Sequence, residues 1–173
     1  MKLQTGDIGF VDNGINGSII SKIIKWFMGS RWSHSFMVLE QFEDDYLIIE
    51  TSSFEVVISY LSKYLDGRPI EFFRDETIYL TETPFIKDKS LKLVGTGYGY
   101  LKLVGLGVRR LMMKIGLCNH FVIFKSQLVC CDVPIQIHKN LQSRLGKHFN
   151  NETVMDTEEL YLAVKSITTH LKK

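Results

Sequence analysis

The sequence has few cysteines, little net charge and no long apolar run, and each shortage argues against a class of protein. Only three cysteines occur in 173 residues, and two of them, Cys130 and Cys131, are neighbours that rarely bridge to each other. We therefore expect no disulfide scaffold, and we expect the protein to occupy a reducing compartment. The formal net charge of +2 is too small for a nucleic-acid binder, so no nucleic-acid partner is expected.

No uninterrupted apolar segment reaches the roughly 18 residues that a membrane-spanning helix needs. The stretch MKLQTGDIGF lacks the apolar run of a secretory signal, which favours a cytoplasmic protein. With 45% apolar and 23% charged residues, the composition is that of a globular protein. We expect a single domain that covers residues 1–173.

Short runs rich in β-forming residues fill much of the first half of the chain. An antiparallel hairpin is predicted where the acidic turn EDD separates two of these runs. One amphipathic helix is predicted over Ser18–Met28, with Gly29 closing its end. The predicted strands are DIGFV, HSFMVLEQF, YLIIETS, FEVVISYL and RPIEFFRD, and SKYLDG is predicted as a turn or one helical turn.

The second half of the chain has the patterns of helices. One or two helices, broken near GTGYG, are predicted between Ser90 and Ile115. After Cys130, apolar residues at four-residue intervals predict a helix that continues to Gly146. Asp156 and Glu159 form the pattern of a capping box that opens the last helix, TEELYLAVKSITTHL. This order of elements predicts an α+β fold with a central antiparallel sheet.

Three residues could supply the chemistry of a thiol enzyme. Cys130 stands near a predicted helix start, where backbone N–H groups favour a thiolate. His34 precedes a strand and could act as general base and later as general acid. Glu50 ends the next β-run, where it could orient His34 across an antiparallel pair. Each residue also has a purely structural reading, as a buried thiol, a strand-edge histidine and a solvated strand end.

These residues lie in short motifs that resemble the permuted NlpC/P60 group of papain-like thiol hydrolases, in its YiiX-like branch. Gly6 and Asp7 match a Gly-Asp pair in the first strand of that group, and "SHSFMVLE" matches its Ser-His motif. "VCCDVPI" occupies the place of its Cys-Ser-Glu-Leu helix start, with Cys131 where the group has serine. The histidine here precedes the cysteine, as it does in a circular permutant.

The resemblance implies a circularly permuted papain-like fold in which a nucleophile helix packs on the sheet. It implies a cysteine hydrolase that cleaves amides through Cys130, His34 and Glu50, with an acyl-enzyme intermediate and no cofactor or metal. The backbone N–H of Cys130 is then the expected donor to the oxyanion. The expected partner is a substrate with an amide or ester bond: a peptide, a peptidoglycan fragment or a lipid.

Several alternatives remain open at the level of sequence. A lipid esterase or acyltransferase, or a catalytically silent binding module, would suit the same fold. The segment LCNHFV resembles a motif of lecithin:retinol acyltransferase-like enzymes and would make Cys118 the nucleophile. Lys22, Lys25 and Trp26 would suit a lipid-facing helix, although packing on the sheet is the commoner explanation.

A zinc site is a further alternative, because the second half of the chain contains several soft ligands. The spacing of these residues lacks the paired-ligand knuckles of structural zinc sites. Three histidines are expected on helix surfaces without a specific role. The zinc candidates are Cys118, His120, Cys130, Cys131 and His138, and the surface histidines are His138, His148 and His170.

Overall fold

The computed structural model describes residues 2–13, 29–116, 128–151 and 155–171. Within these ranges the chain forms a six-stranded antiparallel sheet and five α-helices, so the α+β prediction is confirmed. The strands are β1 (Ile8–Val11), β2 (His34–Phe42), β3 (Asp45–Thr51), β4 (Val56–Tyr60), β5 (Ile70–Arg74) and β6 (Thr169–Leu171). They lie in the order β4-β3-β2-β1-β5-β6.

All five predicted strands are present as β1 to β5, because their alternating, β-branched sequences suit a half-buried sheet. The predicted hairpin joins β2 to β3 through the EDD turn, where Glu43 has a left-handed φ of 52°. Its register pairs Phe36 with Glu50. Side chains alternate between the two faces of a sheet, so His34, Phe36 and Glu50 belong to the same face.

The helices follow mostly in the second half of the chain. They are α1 (Thr83–Leu93), α2 (Tyr100–Lys114), α3 (Asp132–His138), α4 (Arg144–Asn151) and α5 (Thr157–Ile167). A 3₁₀-helix over Leu61–Tyr64 forms the predicted single helical turn. The break near GTGYG is confirmed between α1 and α2, where Gly95 has a φ of 81°. The helix predicted over Ser18–Met28 lies outside the described residues.

The single helix predicted from Cys130 to Gly146 is wrong, because two helices occupy this stretch. The chain turns between α3 and α4, and Asn140 there has a φ of 71°. Gly146 lies inside α4 and does not end it. A Cβ on Gly146 would stand 2.4 Å from the carbonyl oxygen of Leu141, so its missing side chain allows α4 to fold back closely on the turn.

The predicted capping box opens α5. Asp156 Oδ1 accepts a hydrogen bond from the N–H of Glu159, and Glu159 Oε2 accepts one from the N–H of Asp156, each at 2.9 Å. The helix ends at Ile167, earlier than its pattern predicted. The following residues, Thr169–Leu171, form β6 instead, because pairing with β5 satisfies backbone groups at that edge of the sheet.

Apolar layers cover both faces of the sheet. On one face, α3 packs Val133 and Ile137 against Met37 and Ile49 of the central strands, while α5 packs Tyr161 on the neighbouring strands. The opposite layer contains residues of β1, β2, β3 and β5 together with the 3₁₀-helix; it comprises Leu3, Val11, Phe36, Val38, Ile48, Leu61, Tyr64 and Phe72. Among the described residues, no helix has the length and apolar character needed to cross a membrane.

Candidate functional site

His34 is the first residue of β2 and pairs with Val11 of β1. Its side chain is nearly buried, and its ring lies 5.9 Å from the ring of Tyr64, measured between centroids. The Nε2 atom is 2.8 Å from Oε2 of Glu50. Because Nε2 is engaged there, Nδ1 is the ring nitrogen left for a second partner.

Glu50 is a buried carboxylate in β3 with a full set of hydrogen-bond donors. Its Oε2 atom accepts from His34 and from the hydroxyl of Tyr64. Its Oε1 atom accepts from the hydroxyl of Ser59 and from the ammonium group of Lys63. A buried charge is tolerated when it is paired and hydrogen-bonded, and four donors meet this requirement for Glu50.

Opposing effects act on the pKa values of this pair. Burial alone would lower the pKa of His34, but hydrogen bonds with Cys130 and Glu50, and their negative charges, raise it to about 9. Burial alone would raise the pKa of Glu50. The hydrogen bond and charge of His34, with hydrogen bonds from Lys63 and Ser59, hold that pKa well below its usual value. His34 is therefore an imidazolium and Glu50 a carboxylate at neutral pH.

Cys130 and Cys131 occupy a tight turn directly before α3. The N–H of Asp132 donates to the carbonyl of Val129 at 2.9 Å, and the N–H of Val129 donates to Asp132 Oδ2 at 2.7 Å. The ammonium group of Lys102, from α2, is 2.7 Å from Asp132 Oδ1, and both side chains are buried. This ion pair fixes the turn to α2. The helix begins at Asp132, so Cys130 lies just outside it.

The thiol of Cys130 contacts groups from two distant parts of the chain. Its Sγ atom is 3.7 Å from the hydroxyl oxygen of Thr157, at the start of α5. The imidazole of His34 is also close enough to this thiol to shift its pKa. A hydrogen bond from Cys131, followed by the hydrogen bond and positive charge of His34, lowers the pKa of Cys130 well below its usual value, although burial opposes this.

Cys131 has the opposite environment. Its Sγ atom donates to the carbonyl oxygen of Met155 at 3.1 Å. The hydrogen bond with Cys130, burial, and the negative charge of Asp132 raise the pKa of Cys131. The single S–H hydrogen of Cys131 can be donated either to the carbonyl of Met155 or to the sulfur of Cys130. In both cases the proton stays on Cys131. Of the two neighbours, only Cys130 has the surroundings of a thiolate. Cys118, the alternative nucleophile, lies outside the described residues.

Gly6 and Asp7 lie at the opposite end of β1 from the residue that pairs with His34. The guanidinium of Arg74 donates to both carboxylate oxygens of Asp7, at 2.8 Å and 2.6 Å. Four residues of strand, roughly 13 Å, separate Asp7 from Val11. Asp7 therefore links β1 to β5 and is not near the imidazole.

The zinc alternative finds no support in the described residues, where no group of three or more His, Cys, Asp or Glu side chains could hold a metal ion. His138 is fully buried against Phe149, so its predicted surface position is wrong. Burial lowers its pKa to about 4. His170 lies on β6 and not on a helix, and its ring stacks on Phe73. His120 lies outside the described residues.

The fold is similar to that of the metalloprotein YiiX from Escherichia coli O157:H7, known from a crystal structure. The TM-score is 0.66 over 100% of this chain and 98% of that chain, with 16% sequence identity. No family model matches the sequence, and no curated protein matches it either. The chain therefore has a YiiX-like fold.

Several residues of the site carry little signal in the sequence. Ser59 is a polar residue in the otherwise apolar strand VVISY, and this contrast is a signal by which it could have been recognised as a site residue. Lys63 and Tyr64 reach Glu50 only because the 3₁₀-helix follows β4 directly. Thr157 meets Cys130 across 27 residues of sequence, a contact that no local pattern indicates.

Proposed function

We propose that the chain is a papain-like thiol hydrolase of the permuted NlpC/P60 kind, and that it cleaves amide bonds. Cys130 would be the nucleophile, His34 the proton carrier and Glu50 the residue that orients His34. The observation that carries the proposal is the hydrogen bond of 2.8 Å between His34 Nε2 and Glu50, beside a thiol of Cys130 whose pKa His34 helps to lower.

Acylation begins with the thiolate of Cys130. Its electron pair forms a bond to the carbonyl carbon of the substrate, and the π pair of the carbonyl moves to the oxygen. The backbone N–H of Cys130 donates to this oxyanion. As the carbon–nitrogen bond breaks, the imidazolium of His34 transfers its proton to the leaving nitrogen. An amine departs, and a thioester remains on Cys130.

Deacylation reverses the roles of the same groups. The neutral imidazole of His34 takes a proton from a water molecule, whose oxygen bonds to the thioester carbon. The carbon–sulfur bond breaks, which releases the acid and restores the thiolate of Cys130. Glu50 remains a carboxylate throughout and stabilises the imidazolium that forms.

The mechanism assigns no step to a metal ion, although YiiX is described as a metalloprotein. Within the described ranges, the donor set for a metal ion is missing, since no three suitable side chains converge. The chemistry proposed here needs only side chains and water.

Alkylation tests the proposed nucleophile. The native protein is treated with iodoacetamide at neutral pH, and the modified cysteine is located by tandem mass spectrometry. Fast, selective modification of Cys130 is expected, because its thiolate is stabilised. His34→Ala should abolish the selectivity, whereas the matched change His170→Ala, at an exposed histidine, should leave it unchanged. Slow, equal modification of Cys118, Cys130 and Cys131 would disprove the proposal.

A substrate panel tests the reaction class. Chromogenic anilides and esters are incubated with the protein, and the mass of an acyl group on Cys130 is sought, with Cys130→Ser as the control. Turnover of anilides supports an amide hydrolase. Turnover of esters alone would replace it with an esterase or acyltransferase, and an unreactive Cys130 would favour a binding module.

A further inference from the structure

The residues that lead into α5 contact the two cysteines differently. The carbonyl of Met155 accepts from the thiol of Cys131, whereas the hydroxyl of Thr157 faces Cys130, with 3.7 Å between Oγ1 and Sγ. A carbonyl can only accept a hydrogen bond, but a hydroxyl can donate one. This one short segment therefore favours a thiol at Cys131 and a thiolate at Cys130.

Thr157 is 2% exposed, so few hydrogen-bond partners can reach its hydroxyl. In the part of the chain that the structure describes, Cys130 is its hydrogen-bond partner. A neutral thiol is a weak acceptor, and a buried hydroxyl without a good acceptor is destabilising. A thiolate is a much better acceptor, because hydrogen bonds to an ionised group are about twice as strong as neutral ones.

The position of Thr157 restricts where its hydroxyl can point. Thr157 is the first residue of α5, and the capping box of Asp156 and Glu159 fixes the start of that helix. Threonine is branched at Cβ, so its χ1 angle is limited to few values. The oxygen is therefore held toward the sulfur before any substrate arrives.

We infer that Thr157 is a further residue of the nucleophile's site, where its hydroxyl donates to the thiolate of Cys130. The inference rests on the proposed function and extends it with a third donor beside His34 and Cys131. It also gives a reason why Cys130, and not its neighbour, is the reactive member of the pair.

The pH dependence of alkylation at Cys130 tests this inference. Iodoacetamide reacts with the thiolate, whose sulfur forms a bond to carbon as iodide leaves. Thr157→Val keeps the shape of the side chain and removes the donor. It should raise the pH of half-maximal alkylation by about one unit. Thr157→Ser keeps the donor and should follow the wild-type curve.

A matched control comes from the other end of the same helix. The hydroxyl of Thr168 donates to the carbonyl of Val164 at 2.5 Å, and Thr168→Val should leave the curve unchanged. Circular dichroism of each variant establishes that it is folded. Equal shifts in Thr157→Val and Thr157→Ser would show that the shift does not depend on the hydroxyl donor, which would overturn the inference.

The two proposals fail in distinguishable ways. If Cys130 of the wild-type protein is unreactive at neutral pH, the proposed function fails. If Cys130 is reactive and Thr157→Val behaves like Thr168→Val, only the role of Thr157 fails.

Discussion

His34 and Glu50 are joined by a hydrogen bond of 2.8 Å between adjacent strands, on the diagonal of the β2–β3 ladder. The carboxylate is also held by Ser59, Lys63 and Tyr64, so it cannot turn away from the ring. The imidazole thus faces a fixed negative charge through Nε2, which leaves Nδ1 as the nitrogen that would serve Cys130 in the proposed mechanism.

Glu50→Gln should lower the pKa of His34, which is about 9 in the wild-type protein. The amide keeps the size of the side chain but removes the charge that favours the imidazolium, and the expected decrease is at least about one unit. A titration of the histidine resonances by NMR measures it. Glu76→Gln, at an exposed residue, should leave the pKa of His34 unchanged. An unaltered value in Glu50→Gln would contradict the assigned role.

Hydrolysis and alkylation should differ in their dependence on pH. The pKa of His34 is raised, so its proton is kept at neutral pH and is lost as the pH rises through about 9. Hydrolysis needs this proton for the leaving group and should fall about tenfold per unit above that pH. Alkylation needs only the thiolate and should not fall there.

Below neutral pH, the group that limits both rates is Cys130, whose pKa is shifted in the opposite direction to that of His34. The pKa of Cys130 is lowered, so its thiolate is present at neutral pH and is lost only as the pH falls through that lowered value. Both rates should therefore decline together in acid. The measurement is the rate of each reaction from about pH 5 to about pH 10. Hydrolysis that continues to rise through pH 9 would show that His34 is not the acid.

Lys102→Met should destabilise the protein strongly. The change leaves the buried carboxylate of Asp132 without its ion-pair partner, which costs about 3–5 kcal/mol of unfolding free energy. Lys92→Met breaks an exposed pair with Asp88 and should cost less than about 1 kcal/mol. Urea denaturation compares the two variants. Similar losses in both would mean that the buried pair does not anchor the cysteine turn.

Gly9→Ala should also destabilise the sheet. A Cβ on Gly9 would stand 2.2 Å from the ring of Phe36 on the neighbouring strand, so the ring would have to move. Overpacking of this kind costs about 1–3 kcal/mol. Gly97→Ala is the control, because no atom lies within 4 Å of the added methyl group. Thermal denaturation should separate the two, and equal stability would contradict the close packing of Phe36.

The strands could be predicted because alternation and β-branched residues act within a few neighbours along the chain. The break between α3 and α4 could not, since the apolar steps from Val133 to Leu145 continue through it unchanged. Its causes are the backbone of Asn140 and the contact of Gly146 with Leu141, which depend on how the chain folds back. The sequence pattern likewise predicts a helix for the three residues of β6, because their partner strand is distant in sequence.

The candidate site shows the same limit. His34, Glu50 and Cys130 could be chosen from motif order and strand ends, and the structure joins the side chains of His34 and Glu50 by a hydrogen bond. The contacts of the two cysteines with Met155 and Thr157 follow from the docking of α5. Such contacts are set by packing, and local sequence does not reveal them.

The order of these residues along the chain has a consequence for synthesis. His34 and Glu50 belong to the first third of the sequence, whereas Cys130 and Thr157 belong to the last third. At roughly 5 to 20 residues per second, a ribosome needs about 5 to 20 s to pass from His34 to Cys130. A nascent chain would thus contain His34 and Glu50 for several seconds before Cys130 and Thr157 are added to it.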